Sequence, residues 1–337
     1  MGNNQQIFFF CNATPEKGLG HFSRCKRIAA MLEKLSCSKS KINFVGNITK
    51  ELQQNFELQG WHYHFSKSFE CEGFQKDAIA IIDSYDISDA SLKAINRHFK
   101  KSIFFDDFNR HDFSETDLVI NFRFNFDFTS YSSVRGCFGP DYFPADQKMI
   151  ETRSEALKAL QSNNPQKIKT ILLYMGALSD EVCQKLIDQC DELVTGVTLI
   201  IPMGLVYERG NLRSKNNNIN ILALQGSLSS ILSQSDIVLC SGGLIKYEAG
   251  FCLKPNACIN QTADQQHDTK LLEKRGLTMD FGIPNDFIDS QNKLRDKMSS
   301  LFDPETLQMQ RIAMKESFNI LSTENTARAI LDISNEN

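Results

Sequence analysis

Short apolar runs alternate with longer amphipathic stretches along most of the chain, and this alternation constrains its fold more than any other feature. The run 7–11 is followed by a polar loop and by a stretch, 21–35, whose apolar residues recur at helical spacing. Further strand-like runs lie at 42–45, 62–65, 78–83, 102–106 and 118–122. This rhythm predicts an α/β fold with a parallel sheet, in which the carboxyl ends of the strands share one edge.

The alternation is interrupted once, and the interruption indicates two domains. The periodicity fades between Asn125 and Pro144, a polar helix follows to about Gln161, and a fresh strand begins at Thr170. A chain of 337 residues also exceeds the size at which one core usually suffices, about 250–300 residues. The sequence therefore predicts Rossmann-like domains over 1–145 and 165–315, followed by a terminal segment.

Composition and charge exclude several classes of function. A net charge of −4 without a basic face does not favour nucleic acid as a partner. No segment approaches the roughly 18–20 apolar residues of a membrane span, and no signal peptide is recognisable. The ten cysteines lack zinc-site spacing, and His62 and His64 are more typical of core-edge positions than of a metal site. We expect a cytoplasmic protein that needs no metal or cofactor and does not insert stably into a membrane.

The first candidate site is the loop Gly18-Leu19-Gly20-His21, which joins a strand to a helix. Glycine lets a backbone approach a ligand closely, and a helix N-terminus attracts anions. His21 is a candidate general base, and Arg24, one turn later, is a candidate ligand-binding residue. The same glycine-histidine pattern is also explained by a tight turn with a histidine that packs or caps. Arg24 is alternatively explained as a surface arginine paired with Glu33 or an aspartate.

The second candidate site is the loop Ser241-Gly242-Gly243, which also precedes a helix and suits an anion such as a diphosphate. Glu248 in that helix is placed to accept hydrogen bonds from a ribose diol, although a solvated glutamate is the commoner case. Gln265 lies in a polar stretch where Asp264 or Asp268 would alternatively cap a helix.

Other polar or small residues also follow predicted strands, so we expect them at the carboxyl edge of the sheet in each domain. Asp83 and Tyr85 end one strand, Asp106-Asp107 end another, and Gly176 ends the first strand of the second half. Paired aspartates suit a metal ion, but the further ligands that such a site needs are not evident.

The run Gly18-Leu19-Gly20-His21-Phe22-Ser23-Arg24-Cys25 resembles the GxGHxxRC signature of the UDP-sugar hydrolases of pseudaminic acid biosynthesis. Ile82-Asp83-Ser84-Tyr85 is similar to the family's IDxY strand end, and 173–180 is similar to the start of its second domain. The segment from Ser235 to Glu248 is similar to its nucleotide-binding half. The likeness covers nearly the whole chain in the family's order.

This resemblance implies a GT-B fold, in which two Rossmann-like domains face a cleft and a final helix, within 316–337, packs back on the first domain. It implies release of UDP from UDP-2,4-diacetamido-2,4,6-trideoxy-β-L-altrose. His21 would activate water, with Tyr85 as a catalytic partner. The candidate nucleotide-sugar-binding residues are Gly18, Gly20, Arg24, Gly176, Gly242, Gly243, Glu248 and Gln265.

Some positions depart from the family pattern and leave the nucleotide open between UDP and CMP. Leu244-Ile245 stand where the family has hydroxyl residues, so two donors to a diphosphate are absent, and Lys246 offers charge in their place. Asp264-Gln265 replaces an Asn-Gln pair, and the first strand ends in Cys11-Asn12-Ala13-Thr14 rather than Arg-x-Asp.

Three functions remain compatible with these residues. The first is a hydrolase of a nucleotide-sugar. The second is a GT-B glycosyltransferase that uses a UDP- or CMP-sugar donor and an acceptor hydroxyl in place of water. The third is a nucleotide-sugar-binding protein without catalysis.

Overall fold

A computed structural model of the chain describes residues 6–14, 18–35, 41–124, 131, 134–161, 167–176, 178–203, 210–223, 228–288 and 291–336. The start of the predicted interruption, at Asn125, lies outside these residues. The chain divides into two compact units, one formed by Met1–Ala145 with Leu321–Asn337 and the other by Asp146–Ile320.

The first unit is built around a parallel sheet that has seven strands within the described residues. They are β1 (Ile7–Phe10), β2 (Ile42–Gly46), β3 (His62–Phe65), β4 (Ile79–Ile82), β5 (Lys101–Phe105), β6 (Leu118–Asn121) and β7 (Gly136–Phe138). Between them lie α1 (Gly20–Leu35), α2 (Lys50–Gln59) and α3 (Asp89–His98). The order β3-β2-β1-β4-β5-β6-β7 reverses direction between β1 and β4.

The first apolar run forms a strand because helices cover both faces of its sheet. Ile7 and Phe9 belong to the core under α1, whereas Phe8 and Phe10 belong to the core under α3. Full burial of one such side chain contributes about 1.5–3 kcal/mol. The strand is therefore apolar at every position rather than at alternate ones.

The second unit contains a parallel sheet of six strands among the described residues. They are β8 (Thr170–Tyr174), β9 (Thr198–Met203), β10 (Asn218–Ala223), β11 (Ile237–Ser241), β12 (Asn256–Ile259) and β13 (Met279–Gly282), in the order β10-β9-β8-β11-β12-β13. The helices are α4 (Gln147–Gln161), α5 (Asp180–Leu193), α6 (Ser229–Gln234), α7 (Ile245–Phe251), α8 (Ala263–Glu273), α9 (Asn285–Ile288), α10 (Gln291–Phe302) and α11 (Pro304–Ser317). This sheet reverses direction between β8 and β11.

A last helix, α12 (Ser322–Asn335), belongs to the first unit. Its apolar face adds Ala327 and Ile330 to the core under α1. At its start, Ser322 Oγ donates to the carbonyl of Phe143 at 2.6 Å, and Thr326 Oγ1 donates to the carbonyl of Tyr142 at 2.8 Å. Side-chain hydroxyls thus attach the first turns of the helix to the segment that follows β7.

Two strands, β7 and β13, are absent from the sequence-based prediction. Each lies at one end of its sheet and pairs with a single neighbour. β7 begins with a glycine and is only half-buried, and β13 contains Asp280. Neither presents the continuous apolar run that marks a strand buried on both faces.

Two structural features bear on the classes of function considered above. No helix among the described residues is long and apolar enough to cross a membrane. The nine cysteines in the described part of the chain are free, and eight of them are buried.

Candidate functional site

The carboxyl edge of the first sheet gathers charged side chains from the loops that follow β1, β4 and β5. α1 begins at Gly20, so His21 and Arg24 occupy its first turns. Asp83 comes directly after β4, and Asp107 follows the end of β5. The point between β1 and β4, where the strand order reverses, is where open α/β sheets usually bind ligands.

His21 forms a close pair with Asp83. Its Nδ1 atom lies 2.5 Å from Asp83 Oδ1. Burial by itself raises the pKa of Asp83, but Arg24 and His21 outweigh burial and hold that pKa below its ordinary value. An ionised carboxylate only accepts hydrogen bonds, so this bonding pattern assigns the imidazole proton to Nδ1. In the neutral form of this imidazole, the Nε2 atom carries the lone pair that can accept a proton.

Arg24 joins Asp83 to a second carboxylate. Its Nε donates to Asp83 Oδ2 at 2.6 Å, and its Nη1 donates to Asp107 Oδ1 at 3.0 Å. The guanidinium lies 5.3 Å from the ring centre of Phe122 and 5.5 Å from that of Phe105. Arg24 thus holds the two carboxylates in fixed positions at the edge of the sheet.

The surface position considered for Arg24 is wrong. Arg24 is 3% exposed, and Glu33 instead accepts a hydrogen bond from the indole of Trp61 at 2.6 Å. All three nitrogens of the guanidinium donate to carboxylates. This arrangement suits a residue that positions Asp83, and a direct contact of Arg24 with a ligand stays a prediction.

Tyr85 forms one wall beside His21. Its ring packs edge-on against the imidazole, with the ring centres 4.3 Å apart, while its hydroxyl donates to Asp107. Removal of the hydroxyl from water and the charge of Asp107 raise the pKa of Tyr85. The phenol is therefore a protonated donor; the Tyr85 ring is half-exposed, and the His21 side chain is 11% exposed.

The adjacent residues Asp106 and Asp107 make different contacts. Asp107 also accepts from Arg123 Nε at 3.4 Å, a contact that the sequence did not suggest. Asp106 accepts from the backbone of Asn109 at 2.9 Å and from the hydroxyl of Tyr131, so it holds a loop. Within the described residues no group of metal-ligating side chains could hold a metal ion.

The two glycines before His21 have unequal structural constraints. Gly18 has φ of +77°, which a side chain disfavours, and its N–H donates to the carbonyl of Thr14 at 2.8 Å. A β-carbon on Gly20 would meet nothing within 4 Å. The turn therefore requires glycine at 18, whereas Gly20 faces open space beside His21.

The corresponding edge of the second sheet carries the other predicted glycines. Gly176 follows β8, and a β-carbon there would lie 3.2 Å from Ser241 Oγ. Gly242 follows β11, and a β-carbon on it would collide with the side-chain amide of Asn260, whereas one on Gly243 would meet nothing within 4 Å. Gly176 and Gly242 thus permit close packing between loops, and Gly243 faces open space.

Lys246 does not take the place of the missing hydroxyls. It is 2% exposed, and its ammonium donates to the carbonyl of Gly242 at 2.7 Å and to Thr269 Oγ1 at 3.0 Å. Asp268 lies 2.9 Å away as an ion-pair partner. The expectation that Lys246 supplies charge to a diphosphate is therefore wrong, because its ammonium is paired with Asp268 inside the unit. The ammonium instead stabilises the glycine loop through its hydrogen bond to Gly242.

The helix that contains Gln265 is capped by neither predicted aspartate. Thr262 is the N-cap and accepts from the backbone N–H of Gln265 at 3.2 Å. Gln265 in turn uses its Oε1 to accept from the backbone of Gln261 at 2.8 Å. This reciprocal arrangement is close to a capping box and fixes the Gln265 side chain beside Gly242.

Glu248 is a buried carboxylate rather than a solvated one, with 4% exposure. Burial and the nearby charge of Glu248 raise the pKa of Tyr174 to about 12. At the start of the same helix, Leu244 occupies the cap position, and its side chain makes no capping hydrogen bond.

Several solved structures resemble the chain over nearly its whole length. Acinetobacter baumannii MurG has a TM-score of 0.65 at 11% identity, covering 98% of this chain and 100% of that one. LpCGTa in complex with UDP has a TM-score of 0.66 at 10% identity, covering 99% and 100%. CalG4, the calicheamicin glycosyltransferase, has a TM-score of 0.61 at 11% identity, covering 98% of each. The fold is of the GT-B type. At these sequence identities the likeness establishes only the fold. This GT-B fold is the one that the sequence predicts.

Sequence comparison adds one curated relative. No protein-family model matches the chain. An uncharacterized protein of Methanocaldococcus jannaschii is 23% identical over 284 residues. The match covers 77% of this chain but 57% of the relative, so the chain spans little more than half of that protein's length.

Proposed function

We propose that the chain is a nucleotide-sugar hydrolase that releases UDP from a UDP-activated 2,4-diacetamido-trideoxy sugar, a reaction of pseudaminic acid biosynthesis. The observation that carries the proposal is the pairing of His21 with an ionised Asp83, which leaves Nε2 of His21 as a proton acceptor. The GT-B fold supports a nucleotide-sugar as the substrate class. The run 18–25, which contains this histidine, supports hydrolysis in particular because of its resemblance to the hydrolase signature.

The reaction requires one proton transfer by the protein. A water oxygen forms a bond to C1 of the sugar while the bond from C1 to the diphosphate oxygen breaks, and UDP leaves with that electron pair. The water proton passes to Nε2 of His21, and Asp83 stabilises the imidazolium that results. A positioned base of this kind contributes about 10²–10⁴-fold to a rate.

The nucleotide is assigned to the loops of the second unit. Gly243 faces open space and so suits close approach of a diphosphate, and the buried carboxylate of Glu248 suits a ribose diol. Gly176 and Gln265 border the same loop. UDP is favoured over CMP because LpCGTa, one of the structures with this fold, was solved with UDP.

A glycosyltransferase is the second candidate, because CalG4 has this fold and is a glycosyltransferase. The same histidine would then take the proton of an acceptor hydroxyl instead of water. A binding protein without catalysis is the third candidate, since the hydroxyl residues of the family loop are replaced by Leu244-Ile245.

One experiment separates these candidates. A panel of UDP- and CMP-sugars is incubated with the protein in ¹⁸O-water, with and without acceptor alcohols, and both products are analysed by mass spectrometry. We expect UDP release in water alone, with ¹⁸O at C1 of the sugar and none in UDP. Release only with an acceptor would indicate a transferase. Label in UDP would refute attack at C1, and nucleotide binding without release would indicate the third candidate.

A further inference from the structure

The second unit contains a pocket of about 860 Å³ that lies away from the candidate nucleotide loops. Its lining includes Ile168, Asp236 and Lys254, which come just before β8, β11 and β12 respectively. These three strands are parallel neighbours, so the pocket lies at their amino ends. Gly176 and Gly242 lie at the opposite edge of the sheet. A pocket of this volume is large enough for a small organic molecule.

The walls of the pocket are partly apolar. α4 contributes Ala156 and Ala159, α11 contributes Leu307, and Leu253 lies between α7 and β12. Both Leu253 and Leu307 are buried. A ligand in this pocket would therefore place part of its surface against aliphatic side chains, which favours a molecule with an apolar portion.

Three cations line the same pocket; Lys167 is exposed, whereas Lys254 and Arg311 are partly buried. Burial lowers the pKa of both Lys254 and Arg311, and the charge of Arg311 lowers the pKa of Lys254 further, so these two like charges lie near one another. Within the described residues, neither cationic head makes a hydrogen bond or an ion pair with another side chain. Both side chains are only partly exposed, so an anion that joined them would offset the repulsion between their charges.

The acidic residues of the lining do not provide that anion. Asp236 is the carboxylate whose charge reaches both cations, but its Oδ2 already accepts from the backbone N–H groups of Lys169 at 2.7 Å and Thr170 at 2.9 Å. Glu155 and Glu305 are exposed, and the charge of Glu155 also raises the pKa of Lys254. The described lining carries three acidic and three basic residues, but none of the acidic side chains bonds to the head of Lys254 or Arg311.

We propose that this pocket is a second ligand site, which binds a small organic anion through a carboxylate or phosphate group held between Lys254 and Arg311. The apolar part of the ligand lies against Leu253 and Leu307. This site is independent of the proposed reaction, because it uses different residues at the other edge of the sheet.

Calorimetry with phenyl phosphate and phenylacetate tests the proposal, with benzyl alcohol as the uncharged probe. We expect both anions to bind the full chain and benzyl alcohol to bind at least about tenfold more weakly, because a hydrogen bond to a charged group contributes about that much. The double variant Lys254→Met with Arg311→Met removes both cations. Ala159→Phe fills the pocket and keeps them. Lys158→Met, an exposed lysine of α4 outside the lining, is the matched control.

The expected result is loss of anion binding in the double variant and in Ala159→Phe, with unchanged binding in Lys158→Met. Circular dichroism melting verifies that each variant is folded, and Ala159→Phe provides a second test should the double variant fail to fold. Wild-type affinity in the variants would place the anion elsewhere, for instance at the nucleotide loops, and would overturn the proposal. Absence of anion binding to the unaltered chain would overturn it as well.

Discussion

His21 Nδ1 lies 2.5 Å from Asp83 Oδ1, although the two residues are 62 positions apart in the chain. The parallel order of β1 and β4 brings them together, because each residue follows one of these neighbouring strands at the carboxyl edge. Arg24 donates to both oxygens of the same carboxylate. The contact converts a histidine at a helix start into an oriented base with one defined proton acceptor.

Replacement of Asp83 by asparagine tests this orientation. An amide in place of the carboxylate no longer fixes the proton on Nδ1 and no longer stabilises an imidazolium. We expect kcat for UDP release to fall by at least about 10²-fold, while the affinity for UDP changes little. Steady-state kinetics and calorimetry measure the two quantities, and a normal kcat would contradict the role of Asp83.

Tyr85 is expected to act mainly through its ring. Tyr85→Phe keeps the packing against His21 and loses one hydrogen bond to Asp107, so we expect kcat to fall by less than about tenfold. Tyr85→Ala also removes the wall beside the imidazole and is expected to lower kcat more. If Tyr85→Phe were as inactive as Tyr85→Ala, the hydroxyl itself would participate in the reaction, as the sequence-based assignment of Tyr85 as catalytic would require.

The sequence identifies the loops of the site better than the contacts within them. His21 is recognisable from its run of glycines, and Asp83 from its place after a buried strand. The burial of the Arg24 side chain is not recognisable from the sequence, because its partners Asp83 and Asp107 are 59 and 83 positions away. Whether a helix arginine is buried depends on which strand neighbours it, and local periodicity does not carry that information.

The same limit applies to the second unit. Ser241-Gly242-Gly243 is predicted as a loop between strand and helix; Gly242 and Gly243 lie in that loop, whereas Ser241 is the last residue of β11. The sequence predicts a charge on Lys246 that is available to a ligand, but Lys246 is paired with Asp268 in the next helix along the chain. Short edge strands such as β7 also escape prediction, since their apolar content is too small to form a pattern.

Acid should destabilise the first unit through Asp83 and Asp107. Burial raises the pKa of both, but Arg24 and their other partners outweigh it, so both pKa values are lower in the folded state than in the unfolded chain. Their contribution to stability is therefore present above the ordinary carboxyl pKa and is lost as pH falls towards the folded-state pKa. Below about pH 5 we expect a progressive fall in the free energy of unfolding, which continues until the folded-state carboxyls are protonated.

Trp61 provides the readout, since it is the chain's single tryptophan and belongs to the first unit. Urea unfolding followed by its fluorescence should show that Asp107→Asn costs about 3–5 kcal/mol near neutral pH, because Arg24 loses one carboxylate. The variant should also lose less stability on acidification than the unaltered chain. Asp264→Asn, at an exposed position, is the control and should follow the unaltered chain. An unchanged acid response in Asp107→Asn would refute the assignment.

The two glycines of the second loop should respond differently to alanine. Gly242→Ala meets the amide of Asn260, so we expect it to destabilise the second unit by about 1–3 kcal/mol. Gly243→Ala meets no neighbour, so the fold should persist while UDP affinity falls by about tenfold. Hydrogen exchange of β11 and β12 reports the first effect, and calorimetry reports the second. Unchanged UDP affinity in Gly243→Ala would place the diphosphate elsewhere.

The proposed base, His21, is tested most directly by His21→Asn. Asparagine keeps a polar group at the helix start but cannot accept the proton, so we expect UDP release to fall by about 10²–10⁴-fold. UDP affinity should remain as in the unaltered chain, and His62→Asn, at an exposed position on an edge strand, should release UDP normally. Near-normal release of UDP by His21→Asn would contradict the mechanism.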